Sequence, residues 1–265
     1  MKNLLKSLYN EFTRPIREKW IGTLQAAAVV RSLHLTSTLK KHISQNKKYK
    51  ILDAGSGTGA PLTIVQARRF SQCDFVAVDL YQNYPLEQHL SLPPNIIFIK
   101  KDLFQYSAKN QYDIIICLDA LEHVKNYKRL LILFNEWIKP DGILLLHTPS
   151  LHKIRYLIKN KPLQKPYKGQ PLGDYHVREG FQLEKLLKDL ENIDFKILCS
   201  RYTFSSLTWF FKELFSIGES KSVPGIGIMI FPFILLSTKI ESFLRPRKGN
   251  GIFVVAKKLT EKLCN

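Results

Sequence analysis

The feature that most constrains the fold is a glycine-rich loop that follows a short apolar run near residue 50. Ile51 and Leu52 lead directly into Asp53-Ala54-Gly55-Ser56-Gly57-Thr58-Gly59. Glycines at the end of a strand let the backbone turn tightly and approach a ligand closely, because no Cβ stands in the way. The loop therefore predicts a nucleotide-type binding site at the carboxyl end of a first strand, followed by a helix that runs through Arg69.

Short apolar runs alternate with helical patterns along the rest of the chain. The helices predicted from these patterns include Val124–Ile138 and Glu179–Leu190. Further strands are expected at Phe75–Val78, Ile96–Ile99, Ile114–Leu118, Ile143–His147, Phe195–Ser200 and Gly251–Ala256. This alternation is typical of crossover units and indicates an α/β fold with a parallel sheet.

The glycine loop alone does not identify its ligand, because its spacing also fits the dinucleotide-binding motif. The surrounding residues are more informative. Asp53 precedes Gly55 by two positions, and Gly59 supplies a third glycine two positions after Gly57. Asp79 ends the second predicted strand, where a carboxylate can accept hydrogen bonds from both hydroxyls of a ribose. An adenosyl cofactor is therefore expected.

These motifs resemble those of the class I S-adenosylmethionine (SAM)-dependent methyltransferases, particularly the group that includes the ubiquinone-pathway and related small-molecule O-methyltransferases. The similarity runs from Ile51 to about Ser200 through the segments ILDAGSGTG, VAVDL, KKDLF, DIIICLDALEHV and KPDGILLLHTP. It implies a Rossmann-like, mostly parallel seven-stranded sheet with helices on both faces. It also implies that SAM is bound by Asp53, Gly55, Ser56, Gly57, Gly59, Asp79, Leu80, Asp102, Leu103, Leu118 and Asp119.

Three residues are candidates for catalysis. Methyl transfer from a sulfonium is an in-line displacement, and a base helps when the acceptor is a hydroxyl. Glu122 and His123 follow the fourth strand, and His176 follows a proline-rich segment, so all three are candidates to handle that proton. The resemblance also implies that a divalent metal could bind Asp119, Glu122 and His123. The alternative is structural: Glu122 and His123 simply begin the next helix, where an acid is favourable, and His176 is an ordinary hydrogen-bonding residue. His147, at the end of the fifth strand, could also face the site.

About fifty residues separate the last two predicted strands, and the family resemblance does not cover them. The segment Phe204–Phe215 is rich in aromatic residues and helical in pattern, while Ser222–Thr238 holds no charge. Its 17 residues are at the lower edge for a bilayer span, which needs about 20. Flanking basic residues such as Lys221 and Lys239 favour an element that lies in a membrane interface. The alternative is a helical lid buried over the active site.

The net charge of +18 is distributed unevenly along the chain. Residues 1–50 carry 11 basic and 2 acidic side chains, whereas residues 51–150 carry 9 and 10. Basic flanks of this kind favour an anionic partner, and we expect an anionic membrane surface. RNA is the alternative partner, for an RNA methyltransferase or a non-catalytic RNA-binding protein. Against it, the Asn/Asp-Pro-Pro-aromatic signature of amino-group RNA methyltransferases is absent after the fourth strand.

The expected organisation is an N-terminal helical cap at 1–45, a SAM-binding domain at 46–202, a hydrophobic insertion at 203–250 and a last strand with its tail at 251–265. The N-terminus shows no secretory signal, and the four cysteines are scattered as expected of reduced thiols. We therefore expect a cytoplasmic protein, with peripheral association at the cytoplasmic face of a membrane. The expected acceptor is a small molecule or a lipid-linked compound.

Overall fold

The strands form one seven-stranded sheet. A computed structural model describes residues 26–57, 60–80, 92–158, 176–220 and 226–260. The strands are β1 (Lys50–Ala54), β2 (Asp74–Asp79), β3 (Ile96–Lys100), β4 (Tyr112–Leu118), β5 (Ile138–Pro149), β6 (Phe195–Thr203) and β7 (Gly251–Lys258). Their order is β3-β2-β1-β4-β5-β7-β6, in which β1 to β5 are parallel and β7 is antiparallel to both neighbours. The predicted fold class is confirmed.

Helices connect the strands and add a unit before the last one. The described helices are α1 (Ala26–His42), α2 (Pro61–Arg69), α3 (Tyr127–Trp137), α4 (Leu183–Glu191), α5 (Ser206–Ser220) and α6 (Ile226–Leu244). The leading helix is confirmed from Ala26 onward, and the part of that prediction before it lies outside the described residues. The insertion consists of α5 and α6.

Two predicted helices begin later than expected, each for a local reason. Residues Leu121–His123 form a separate 3-10 turn, and α3 starts only after Asn126, whose side chain accepts a hydrogen bond from the Arg129 amide. Before α4, Phe181 pairs with Ser150 as an isolated parallel bridge, so the chain is still extended there. The observed helix starts differ from the predicted ones because strand pairing and helix capping outweigh the helical pattern of the sequence.

Apolar side chains fill a layer on each face of the sheet. The central strand β4 is buried on both faces, which explains why its sequence from Ile114 to Cys117 is apolar without alternation. One layer includes Phe134 and Trp137 of α3, and the other includes Leu35 and Leu39 of α1. Each large side chain buried in this way stabilises the fold by roughly 1.5–3 kcal/mol.

The insertion packs at the end of the sheet against α1. A smaller apolar cluster joins Val30 of α1 to Phe204, to Phe215 of α5 and to Ile234 of α6. Helix α6 is 19 residues long and contains Pro232. In the part of the chain that is described, none of the helices combines the length and the apolar character that crossing a bilayer requires.

Candidate functional site

The glycine loop is held at the carboxyl ends of β1 and β2. The amides of Gly55 and Ser56 donate to the Val78 carbonyl at 2.9 and 3.3 Å, and the Gly57 amide donates to Asp79 Oδ2 at 2.9 Å. Gly55 and Gly57 have φ angles of +78° and +74°, which only glycine adopts without strain. A Cβ on Gly57 would meet no atom of the described residues within 4 Å, so open space lies beside the described part of the loop. That space fits a ligand against the backbone.

The loop also makes a close approach to the exit of β4. A Cβ on Gly55 would lie 2.6 Å from the Cβ of Ala120, well inside van der Waals contact. The two segments meet where the strand order reverses, since β2 and β3 lie on one side of β1 and β4 lies on the other. Ligands of open α/β sheets bind at such switch points, outside the carboxyl ends of the strands.

Asp53 is the buried acid beneath the loop. Its carboxylate accepts a hydrogen bond from the Thr63 hydroxyl at the start of α2. Burial raises the pKa of Asp53 to about 7, and the nearby Asp79 charge adds to the rise while the bond from Thr63 opposes it. Asp53 therefore links β1 to α2 and sits directly behind the glycines.

The exits of β2 and β3 lie next to each other. The Lys101 amide donates to the Asp79 carbonyl at 3.0 Å, which brings the two strand ends together. Asp102 Oδ1 accepts from the Phe104 amide at 2.8 Å and so shapes the turn that contains Leu103. Leu80 is exposed at the end of β2. Asp79, which is the predicted ribose ligand, and Asp102 and Leu103, which are also predicted to bind SAM, therefore lie on this side of the switch point.

Asp119 follows β4 and is held by two cationic or titratable partners. Arg31 of α1 lies 3.0 Å from its Oδ2, and His147 Nδ1 contacts its Oδ1. The second ring nitrogen of His147 lies 2.9 Å from the Thr203 hydroxyl, at the end of β6. Burial alone would raise the pKa of Asp119, but His147 and Arg31 outweigh it and leave the pKa lowered. Asp119 is therefore ionised at neutral pH.

A second polar group lies one turn further along the chain. The candidate ligand atoms of Glu122, His123 and His176 all lie within 4.8 Å of one another. The Val177 amide donates to the Glu122 carbonyl at 2.9 Å, which brings His176 to the 3-10 turn, where its ring meets His123 edge-on at 4.7 Å between centroids. The structure thus brings together the three residues predicted for catalysis, whose roles remain predictions.

Glu122 is the buried member of this group. Its Oε2 accepts from the Thr148 hydroxyl at 3.2 Å, while its buried Oε1 has no hydrogen-bond partner among the described residues. Burial, reinforced by the Asp119 charge, raises the pKa of Glu122 to about 8. A buried oxygen without a partner is costly unless a ligand or ion completes it.

The donor set of this group is one that a divalent transition-metal ion accepts. A carboxylate and two imidazoles on one side of a site are typical ligands of such ions, and the unpartnered Oε1 of Glu122 fits this role. Asp119 was expected among the ligands, yet its carboxylate is engaged by Arg31 and His147 instead. The structure therefore groups His176, rather than Asp119, with Glu122 and His123.

The predicted cofactor residues that the structure describes lie at the carboxyl ends of β1 to β4. Gly59 lies beyond the described residues, and Ser56 has a buried hydroxyl without a partner among them. Arg31 and Thr203 were not predicted. The position of His147 opposite Leu118 in the β4–β5 register could have indicated its link to Asp119. Nothing in the sequence marks Arg31, because α1 carries no motif.

Comparisons with known proteins identify the family of the chain. A family model described as a methyltransferase domain matches residues 24–213. A ubiquinone biosynthesis O-methyltransferase of Rickettsia bellii is 25% identical over 170 residues, which are 60% of this chain and 68% of that protein. The (S)-coclaurine N-methyltransferase of Papaver somniferum is 33% identical over 101 residues, which are 36% of this chain and 28% of that protein.

A solved structure gives the same picture of the fold. The crystal structure of a coclaurine N-methyltransferase bound to N-methylheliamine and S-adenosylhomocysteine aligns with a TM-score of 0.52 and 17% identity. The alignment covers 86% of this chain and 70% of that one. With the family match, the glycine loop and the acids at the ends of β1 and β2, this chain belongs to the class I SAM-dependent methyltransferases, and SAM is its cofactor.

Proposed function

We propose that this enzyme transfers the methyl group of SAM to a hydroxyl oxygen of a small, lipid-like acceptor near a membrane surface. The observation that carries the proposal is the group of Glu122, His123 and His176, with ligand atoms within 4.8 Å of one another beside the exit of β4. A hydroxyl must lose its proton as the new oxygen–carbon bond forms and the sulfur–carbon bond breaks. Residues able to accept that proton are therefore expected beside the acceptor.

His176 is the member best suited to accept the proton. Burial, with the neighbouring His123, lowers the pKa of His176 below its ordinary value of 6.5. Its ring is therefore neutral at pH 7 and has a nitrogen free to take a proton. Glu122 is mostly protonated at that pH because its pKa is raised to about 8, so it would hold the acceptor oxygen by donating a hydrogen bond from its otherwise unpartnered oxygen.

The two relatives differ in the atom that their names say is methylated, and the O-methyltransferase aligns with more of this chain. Oxygen is therefore favoured over nitrogen as the methylated atom. The relative from Rickettsia bellii bears the name of an O-methyltransferase and aligns with 60% of this chain, against 36% for the N-methyltransferase from Papaver somniferum. An amine acceptor also needs no buried acid–base group of this kind once it is deprotonated. The name of the first relative further favours a phenolic acceptor of the kind from which a quinone is made.

A divalent ion is a second way for the same residues to act. Bound by Glu122, His123 and His176, such an ion would lower the pKa of an acceptor hydroxyl. In that case Glu122 would be ionised, and its unpartnered oxygen would be a ligand rather than a donor. The two versions differ in their response to chelation, and both require Glu122 and His176.

The proposal is tested by methyl transfer from labelled SAM to a set of acceptors. The set contains catechols and phenols with alkyl tails in detergent micelles, the corresponding amines, and transfer RNA. We expect label in the tailed hydroxyl compounds, and a loss of about 100-fold or more in H176Q and E122A with unchanged SAM affinity. A chelator separates the metal-dependent version from the metal-free one.

Three outcomes would contradict the proposal. Label in the amines alone would make the enzyme an N-methyltransferase, and label in the RNA alone would favour the role that the basic flanks left open. Full turnover by both H176Q and E122A would show that this group only shapes the turn. A surface variant, K257Q, serves as control because Lys257 pairs with Asp141 away from the switch point.

A further inference from the structure

Helix α6 is turned with its polar side inward. The residues it buries include Ser237, Thr238 and Glu241, and the exposed fraction of Glu241 is only 3%. The hydroxyls of Ser237 and Thr238 both donate to the carbonyl of Ile234, so they are satisfied within the helix. Surface helices ordinarily bury their apolar side and expose their polar side. This helix does the opposite over much of its length.

A network around Glu241 fixes that orientation. Its carboxylate accepts from the Phe204 and Ser205 amides at 3.0 and 2.6 Å, and it lies 3.1 Å from His34 Nε2 of α1. Burial would raise the pKa of Glu241, but the bonds from His34 and Ser205 outweigh it and lower the pKa. Turning the helix to bury its apolar side would expel an ionised, fully bonded carboxylate from these donors. The outward face is therefore set by the fold.

The outward face is a continuous apolar stripe, here called the α6 stripe. It consists of Met229, Phe233, Leu236, Ile240, Phe243 and Leu244, which recur every three or four residues and are all exposed. The most exposed are Phe243 at 86% and Met229 at 73%. Such spacing places them on one side of a helix. A contiguous apolar surface of this kind marks an interaction site.

Every exposed charged side chain that is described between residues 229 and 248 is basic. Lys239 lies within the helix and Arg245, Arg247 and Lys248 follow its end, all exposed. The one acidic residue of α6 is Glu241, which is buried on the opposite side. Apolar side chains with basic residues beside them are the arrangement that binds anionic phospholipid interfaces.

We propose that the α6 stripe docks onto an anionic phospholipid surface, with α6 lying in the plane of the interface. Its apolar residues enter the region between headgroups and acyl chains, and the basic residues contact the phosphates. This rests on the proposed function in one respect, since a lipid-like acceptor would be collected from the same surface. Helix α1 links the two, because His34 contacts Glu241 and Arg31 contacts Asp119.

The first test is binding of the full-length protein to sedimented vesicles of phosphatidylglycerol and phosphatidylcholine. We expect binding to the mixed vesicles and little to pure phosphatidylcholine. The double variant F233S/F243S should bind about tenfold or more weakly, because two large apolar side chains no longer enter the interface. The matched control is I97S, since Ile97 is 62% exposed on the edge strand β3 and should leave binding unchanged.

The second test concerns the charges. The triple variant R245Q/R247Q/K248Q should weaken binding to the mixed vesicles on the order of a hundredfold at low salt, since each basic residue near an anionic surface contributes appreciably. Raising the salt concentration should weaken the wild type and affect this variant less. Equal binding to both lipid compositions, or no effect of F233S/F243S, would overturn the proposal.

The fluorescence of a tryptophan introduced into the α6 stripe distinguishes a lipid surface from a second copy of the chain or another segment of it. The protein already contains three tryptophans, so the signal of interest is the emission of F243W minus that of the wild type. This difference should be that of an exposed indole without vesicles and should shift to the blue when they are added. A blue emission without vesicles that grows with protein concentration would mean that a second copy covers the stripe. The same emission at every concentration would mean that another part of the chain, such as residues 1–25, covers it. Either result overturns lipid docking.

SAM titration separates this inference from the proposed function. All the stripe variants should bind SAM with the affinity of the wild type, because none of the stripe residues is among the hydrogen-bond partners of the described part of the glycine loop. Normal SAM binding without vesicle binding would overturn docking alone. Vesicle binding without transfer to any acceptor would leave docking intact and overturn the proposed function.

Discussion

At the scale of single residues, two glycines of the glycine loop differ in their surroundings. Both have a positive φ, but a Cβ on Gly55 would collide with Ala120, whereas a Cβ on Gly57 would meet no atom of the described residues within 4 Å. We expect G57A to cost about 1–2 kcal/mol of stability through backbone strain, and to weaken SAM binding by about tenfold or more because its methyl group enters the cofactor space. G55A should cost more stability, since its methyl group meets another side chain. Chemical unfolding and SAM titration measure the two effects.

The structure predicts that G55A loses more stability than G57A and that G57A weakens SAM binding. If G57A proved the less stable variant, the close approach between the loop and the exit of β4 would be wrong. If G57A bound SAM normally, the open space beside Gly57 would not be where the cofactor lies.

Asp53 makes the stability of the protein depend on pH. Its pKa is raised to about 7 in the folded state from an ordinary value near 3.8, so the folded state binds this proton more tightly than the unfolded state does. The contribution of this group is fully present at low pH and is lost as the pH rises through about 7, by up to roughly 4 kcal/mol. We expect D53N to remove this dependence, which falls between about pH 4 and pH 7.

Unfolding of the SAM-free protein in denaturant at several pH values provides the measurement. Asn keeps an oxygen that accepts from Thr63, so D53N should fold, and T63V serves as a control for loss of the hydrogen bond alone. An identical slope of stability against pH in D53N and the wild type would refute the assignment to Asp53.

At the scale of elements, α1 is joined to the insertion by buried polar contacts as well as by apolar packing. Glu241 of α6 is the centre of these contacts, since it accepts from two amides before α5 and contacts His34 of α1. We expect E241A to lower the free energy of unfolding by about 3–5 kcal/mol, because removal of one partner leaves buried donors unsatisfied. E241Q keeps one acceptor oxygen and should cost less.

The measurement is equilibrium unfolding of both variants beside a surface variant of the same helix. K239Q serves for comparison, because Lys239 is exposed on α6. A loss in E241A no larger than in K239Q would mean that the network around Glu241 does not hold the insertion in place.

At the scale of the whole molecule, the cofactor should stabilise the protein as one unit. The residues predicted to bind it lie at or just after the ends of β1, β2, β3 and β4, which belong to one sheet. A ligand at 100 times its dissociation constant stabilises the folded state by about 2.7 kcal/mol. For a chain of this size we expect a rise in Tm of roughly 5–10 °C with SAM or its demethylated product.

Thermal unfolding with increasing ligand provides this measurement without any knowledge of the acceptor. NADH is the control and should leave Tm unchanged, since the acids and glycines match a SAM site. A rise in Tm with NADH and none with SAM would contradict the assignment of SAM as the cofactor.

The strands, the glycine loop and the acids at the strand ends could be predicted from the sequence. These features are local: strand runs, turn glycines and strand-end carboxylates are each defined within a few neighbouring residues. Asp53, Asp79 and the run from Ile114 to Leu118 could therefore be placed without a structure. The expected helical insertion was also confirmed, because aromatic and apolar spacing predicts a helix from the chain alone.

The contacts between side chains that are distant in the sequence could be seen only in the folded chain. Arg31 reaches Asp119 from a helix 88 positions earlier, and His176 joins Glu122 across 54 positions, contacts that no local pattern encodes. The orientation of α6 was likewise undetermined, because an apolar helix can face either the core or the surroundings. It was decided by the burial of Glu241 against His34 and two amides, which outweighs the gain from burying the apolar stripe.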